Sequence, residues 1–357
     1  NGTADIFNGN VTLTNNGSNN MYIAHNGAGH SIAGNLILNN NATGAGDYRM
    51  FVCAGNTAAL TINGNVTVLQ NGNATTLRTY FGDQGDIILN GKLNATISGS
   101  GTTSDFRIAN NTNSLVTISD TLTILNNGSA TNNNSYIGNV GDVILNGKVN
   151  LTNSGSGTTS QIIVGNNPTS QITIAGICDL VNNNNANTTN RCYLGNQGDV
   201  TFNGDLNIIN NAGSANSEVY CNYQVNSNNL YNENITVSTT NTTCDGIYFG
   251  QNNGSGTLAN NKTITIPGVD TVNFVGGQIR FRNFTQTGNT AQSLELASTA
   301  TYIYNYDANW GGNISFTAPR IVSRGTTYNG TANIEKTGAG SDGSIGGNTF
   351  SGVLTTY

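Results

Sequence analysis

The decapeptide Gly85-Asp86-Ile87-Ile88-Leu89-Asn90-Gly91-Lys92-Leu93-Asn94 returns as Gly141-Asp142-Val143-Ile144-Leu145-Asn146-Gly147-Lys148-Val149-Asn150. It returns again as Gly198-Asp199-Val200-Thr201-Phe202-Asn203-Gly204-Asp205-Leu206-Asn207. The step is 56 residues from Asp86 to Asp142 and 57 from Asp142 to Asp199. A fixed period of this kind means a stacked solenoid, in which each unit buries its apolar face only against its neighbours.

Half of that period, about 28 residues, is the smaller unit, and it holds three short apolar runs. The first ends in a turn pair such as Asn63-Gly64, Asn90-Gly91, Asn146-Gly147 or Asn203-Gly204. Asn and Gly tolerate positive φ, so a left-handed corner is expected there. The second run alternates, as in Val66/Val68, Leu122/Ile124 and Leu206/Ile208, which marks a strand with one buried face. A polar loop follows, for example Asn126–Asn134 or Asn153–Ser160, and stacked Asn side chains there can bond to their copies in the next coil. Asn-Gly between strands is also a hairpin signal. A series of hairpins, however, leaves unexplained why every third run restarts one motif, whereas a coil rising by one strand spacing, ~4.8 Å, explains it.

The third runs place Ile23, Val52, Phe81, Ile108, Ile137, Val164, Leu194, Cys221 and Phe249 in one inward series. The preceding residues then form an outward series: Tyr22, Phe51, Tyr80, Arg107, Tyr136, Ile163, Tyr193, Tyr220 and Tyr248. Its seven aromatic members are the candidate surface site, suited to stabilising the sheet, to lateral association or to glycan contact. The expected fold is all-β, a parallel β-helix (β-solenoid) with three short strands per coil. Residues 1–254 form the regular part, and residues 255–357 continue it with longer, less regular coils and more Arg and Tyr.

Charged residues are 8% of the 357, with 46 Gly, 3 Pro and a formal net charge of −6. Only 12 Lys and Arg are present, which argues against nucleic-acid partners, since phosphate binding needs clustered cations. No run approaches the ~18 apolar residues of a membrane helix. The five cysteines include no CxxC pair, so they are expected as small core residues, with one disulfide open. His25 and His30 are expected as solvated loop residues. Asp86, Asp142 and Asp199 recur in alternate coils, with Asp83 near the first. Corner capping of backbone groups is the leading reading for them. Calcium near Asp83 and Asp86 is the lesser alternative, because the Ca²⁺-binding GGxGxDxUx pattern is missing. No other cofactor is indicated, and the pattern points away from an enzyme: the G-x-S-x-G, H-E-x-x-H and P-loop motifs do not occur.

Phe350-Ser351-Gly352-Val353-Leu354-Thr355 echoes Phe7-Asn8-Gly9-Asn10-Val11-Thr12. A larger repeating unit is therefore expected, joined to the next unit or to an identical subunit head-to-tail. Phe7–Leu13, Asn333-Ile334-Glu335-Lys336-Thr337-Gly338 and Gly346-Gly347-Asn348-Thr349-Phe350-Ser351-Gly352 resemble the repeat regions of very large secreted surface proteins of Bacteroidetes. Those are adhesins and gliding-associated filaments exported by the type IX secretion system. The resemblance implies a structural or adhesive segment of an extracellular, cell-surface fibre. A secreted carbohydrate-binding or carbohydrate-cleaving β-helix is the alternative.

Overall fold

The structure, a computed structural model, describes residues 3–17, 19–183, 189–213, 216–267 and 273–357. Among these residues it contains strands and no helix. The first strands of successive coils form a 14-stranded sheet, from Ile6–Phe7 to Thr349–Phe350. The second strands form a 10-stranded sheet, from Val11–Asn15 to Ile264–Thr265, and the third a 13-stranded sheet, from Asn20–Ile23 to Gly343–Ser344. A 4-stranded sheet, Gln292–Glu295 to Leu354–Thr356, takes over from the second sheet near the end. Every named strand pair is parallel; Leu93, for example, sits between Val66 and Leu122. The chain is thus the expected parallel β-solenoid and not a meander of hairpins.

Alternation along each strand closes the interior. In Val66–Gln70 the side chains of 66, 68 and 70 are buried. Inward residues of all three sheets, such as Leu36, Phe81, Leu93 and Ile118, merge into one continuous core along the stack. Each fully buried aliphatic side chain contributes roughly 1.5–3 kcal/mol, and it does so only when coils lie above and below. All five cysteines are buried and unpaired, so the disulfide left open by the sequence is not made. Burial pushes the Cys178 thiol up to about 12, which keeps it neutral. His30 departs from expectation. It lies buried in the first sheet, and its Nδ1 accepts the Asp5 N–H at 2.9 Å. Its Nε2 sits 3.0 Å from the Asn26 carbonyl, a partner for Nε2–H.

The left-handed corner falls elsewhere than expected. Positive φ occurs directly after the third strand: Ala24, Cys53, Gly82, Ala109, Gly138, Gly165, Gly195, Asn222 and Gly250 lie between 52° and 89°. None of the Asn-Gly corner glycines has positive φ. There glycine serves close approach: a Cβ on Gly91 would stand 2.5 Å from the Gly64 carbonyl oxygen. The adjoining Asn side chains tie the stack. Asn35 Oδ1 accepts the Asn65 N–H at 2.8 Å, and Asn65 Oδ1 accepts that of Lys92 at 2.9 Å. A second Asn ladder is buried where the second strand ends. Asn126 Nδ2 reaches Asn153 Oδ1 at 3.2 Å, Asn153 reaches Asn182 at 3.2 Å and Asn182 reaches Asn210 at 3.1 Å. These residues open the polar loops, as the sequence suggested, but they face inward.

The 56-residue repeat has a physical cause. The connection from third strand to next first strand alternates between two lengths. It has four residues between Phe81 and Asp86, Ile137 and Asp142, and Leu194 and Asp199. It has six between Ile108 and Leu115, Val164 and Gln171, and Cys221 and Asn228. Each short corner locks onto the long one above it. Asp86, Asp142 and Asp199 accept the N–H of Leu115, Gln171 and Asn228 at 2.8–2.9 Å. In return Ser114, Ser170 and Ser227 donate their hydroxyls to Gly82, Gly138 and Gly195 carbonyls at 2.9–3.0 Å. The two-coil pair is the structural unit.

Beyond Gly254 the first and third sheets continue. One coil spans 32 residues from Phe249 to Phe281. The following coils are then shorter than the regular ones, not longer: Ile303 lies beside Ile321 and Ile314 beside Ala332, both 18 residues on. Large rings fill this end, with Trp310 edge-on to Phe281 at 4.9 Å and to Phe316 at 5.3 Å. The indole N–H of Trp310 is donated to Asn305 Oδ1 at 3.1 Å.

Gly141 tests the corner pairing, because a Cβ there would lie 2.3 Å from the Ser114 carbonyl oxygen, whereas one on Gly9 meets nothing within 4 Å. Gly141→Ala is expected to cost roughly 1–3 kcal/mol through overpacking, and Gly9→Ala much less. Thermal unfolding of the two variants checks this, and equal losses would contradict the packing account.

Candidate functional site

The outward series of the third sheet is one register column, as the spacing predicted. Tyr22 pairs with Phe51, Phe51 with Tyr80, Tyr80 with Arg107 and Arg107 with Tyr136. Ile163 links Tyr136 to Tyr193, which pairs with Tyr220, and that with Tyr248. Because the strands are parallel and in register, each ring lands on its copy. Centroids lie 4.9 Å apart for Tyr22–Phe51, 4.8 Å for Phe51–Tyr80, 5.3 Å for Tyr193–Tyr220 and 5.1 Å for Tyr220–Tyr248. Where the ring series is interrupted, the Arg107 guanidinium lies 5.7 Å from Tyr80 and 5.0 Å from Tyr136. Cation–π contact of this kind keeps the stack continuous.

Stacking also covers the rings. Tyr22 is 45% exposed, but Phe51, Tyr80, Tyr193, Tyr220 and Tyr248 are each below a tenth, and Tyr136 is half-buried. Burial raises the phenols of Tyr136, Tyr193 and Tyr248 to about 12, so they stay protonated. The ring faces hold the sheet together, and the Tyr220 and Tyr248 hydroxyls are donated to the Glu218 carboxylate and the Asp245 carbonyl.

Beside the column runs a row of charge. Asp47 is paired with Arg49 and, at 2.9 Å, with Arg78. Buried Asp105 takes Arg107 at 2.8 Å and Arg78 at 3.7 Å. Arg191 Nε lies 2.8 Å from Glu218, whose carboxylate also accepts the Tyr220 hydroxyl at 2.9 Å. Burial opposes the charge on Arg191, but the Glu218 contact outweighs it and holds the guanidinium protonated.

On the other side, just past the left-handed corner, a polar ladder descends to Asp83. Asn196 donates to Asn166 and Asn166 to Asn139 at 2.9 Å, then Asn139 to Asn110 and Asn110 to Asp83 at 2.8 Å. Asp83 and Asp86 therefore have structural partners, the Asn110 amide and the Leu115 N–H. Among the described residues no group of three or more His, Cys, Asp or Glu is placed to hold a metal. A cleft of about 480 Å³ opens where Tyr22, His25, Phe51, Asn56 and Asp83 meet.

The column runs at least two coils past Tyr248, the last member that spacing reveals. Tyr248 pairs with Arg280, and Arg280 with Tyr304. The alternation in Gln278–Arg282 is the signal, but the 32-residue coil breaks the spacing that reveals the match.

Burial raises the Asp83 carboxyl above the usual range, and the Asn110 hydrogen bond opposes the shift only in part. A raised folded value means that ionisation costs stability as pH climbs through the carboxylate range. Asp83→Asn extends the amide ladder without a charge, so its melting temperature at pH 7 should exceed that of the parent. The gap should close at acid pH, where Asp83 is neutral, and melting curves at several pH values test it. No protein-family model, curated protein or solved structure matches this chain.

Proposed function

We propose that this chain is a segment of an extracellular fibre built from stacked β-solenoid coils, serving cell-surface adhesion or gliding motility, as the Bacteroidetes-like motifs suggest. The observation that carries this reading is the equivalence of the two end coils. Phe7 and Phe350 both lie in the first sheet, and each pairs toward the interior of the stack, with Ile32 and Tyr328. Gly9 and Gly352 occupy the same corner ladder, packed against Gly34 and Gly330. Both coils leave apolar side chains open: Ile6 is 67% exposed at one end and Val353 68% at the other. The far end also carries a hollow of about 210 Å³ among Ile334, Phe350, Leu354 and Tyr357. An unpaired strand edge with an open apolar core is a docking template. A neighbour presenting the same coil geometry, as the next unit of one polypeptide or as an identical subunit, would continue all the ladders. Head-to-tail contacts that do not close generate filaments.

Negative-stain images and light scattering of the purified chain test this proposal. End-to-end rods that lengthen with concentration are expected, and Leu354→Asp should hold the chain as single short rods. Single rods at every concentration, together with native particles no longer than one unit, would remove the fibre.

A further inference from the structure

We infer that the third sheet's outward face near the end of the stack binds an acidic polysaccharide, through arginines seated between tyrosine rings. Four of the chain's eight arginines gather there, Arg280, Arg282, Arg320 and Arg324, although the molecule carries a net charge of −6. They occupy alternate rungs. Arg282 pairs in register with Tyr306 and Tyr306 with Arg324, which places the two guanidinium groups about two strand spacings apart, ~9.6 Å. Arg282 and Arg324 lie 5.3 and 4.7 Å from the Tyr306 ring centre, and Arg320 lies 4.5 Å from that of Tyr302.

What distinguishes these arginines is the lack of a counter-anion. Arg78, Arg107 and Arg191 each meet a carboxylate. Among the described residues, none of the four does. Their partners are neutral: Gln251 at 2.7 Å and Gln278 at 3.5 Å for Arg280, Asn253 at 2.8 Å for Arg282, and the Tyr302 hydroxyl at 2.7 Å for Arg320. The Tyr306 hydroxyl serves Arg324. A guanidinium has five donors, so most remain unspent. Of the nearby acids, Asp342 is held by Lys336 at 3.5 Å, and Asp307 is itself the left-handed corner residue that ends the Tyr302–Tyr306 strand, with no ion pair to any of the four. A furrow of about 200 Å³ runs between Arg280, Arg282, Tyr304 and Tyr306.

Planar forks spaced along a straight face suit carboxylates or sulfates repeated along an extended chain. A pyranose chain advances per ring by a length close to one strand spacing, so every second sugar meets an arginine rung. The tyrosine edges and hydroxyls between the rungs are matched to sugar hydroxyls. Nucleic acid fits less well. Base stacking needs open ring faces, and here guanidinium groups occupy them.

The inference deepens the adhesive reading by naming a ligand class, but it does not need end-to-end assembly, because binding is measured on dilute single chains. Affinity electrophoresis through gels containing polygalacturonate, heparin, dextran or oligothymidylate is the test. Retardation by polygalacturonate or heparin is expected, the pair separating carboxylate from sulfate recognition. It should weaken with added salt and fall about tenfold or more in Arg282→Gln/Arg324→Gln. Arg324→Gln alone, at an exposed site, gives a partial loss if the double variant folds poorly. Lys92→Gln, which removes one charge elsewhere, should bind as the parent. No retardation by either acidic polymer, equal retardation by dextran, an equal loss in Lys92→Gln, or retardation by oligothymidylate alone would overturn the proposal. The last outcome would assign the face to nucleic acid.

Discussion

The parallel, in-register ladder governs everything else in this molecule. Its strands stand ~4.8 Å apart, and because residues one coil apart pair directly, each side chain sits on its own counterpart. A residue type is useful here only if it can stack on itself or on a neighbour of complementary chemistry. Aliphatic side chains satisfy this by filling the core. An Asn amide satisfies it because it carries both donor and acceptor, so that Asn126, Asn153, Asn182 and Asn210 bond in series. Tyrosine and phenylalanine satisfy it by ring stacking. Like charges do not, and this accounts for a chain with only 8% charged residues. Charge in a column is compensated: Arg78 lies beside Asp105 and Arg191 beside Glu218, and where Arg49 falls directly on Arg78 the Asp47 carboxylate meets both.

The same rule shapes the corners. Backbone passes so close to backbone at Gly64, Gly91 and Gly141 that a Cβ would fall within 2.6 Å of the coil beneath. Corner amides escape isolation by bonding to side chains of the next coil, which accounts for Asn35 and Asn65 as well as Asp86 and Asp142. Burying those N–H groups unpaired would cost about 1–3 kcal/mol each. The alternation of four- and six-residue corners lets the Asp of one coil and the Ser of the next satisfy each other's backbone.

The outward face of the third sheet changes character along the stack. In the middle its arginines are neutralised by Asp47, Asp105 and Glu218. Near Tyr302–Tyr306 they rest on rings and neutral oxygens alone. The scaffold is constant while the electrostatics differ, so a single sheet carries both a sealed stretch and one with unspent donors.

The coil itself was legible without coordinates. Period, alternation and the equivalence of Tyr22, Phe51, Tyr80, Tyr136, Tyr193, Tyr220 and Tyr248 follow from spacing, because a solenoid converts sequence distance directly into spatial adjacency. The role of Asp86, Asp142 and Asp199 as backbone caps was legible for the same reason. Spacing could not show which corner turns left-handed, since close approach and positive φ both select glycine; only the backbone placed the latter at Cys53, Gly82 and Gly138. Nor could it show that His30 is buried, that the aromatic column covers its own ring faces, or that Arg280 continues it across a 32-residue coil. Those outcomes depend on how far one coil reaches over the next, a distance that tertiary packing sets and local sequence does not encode.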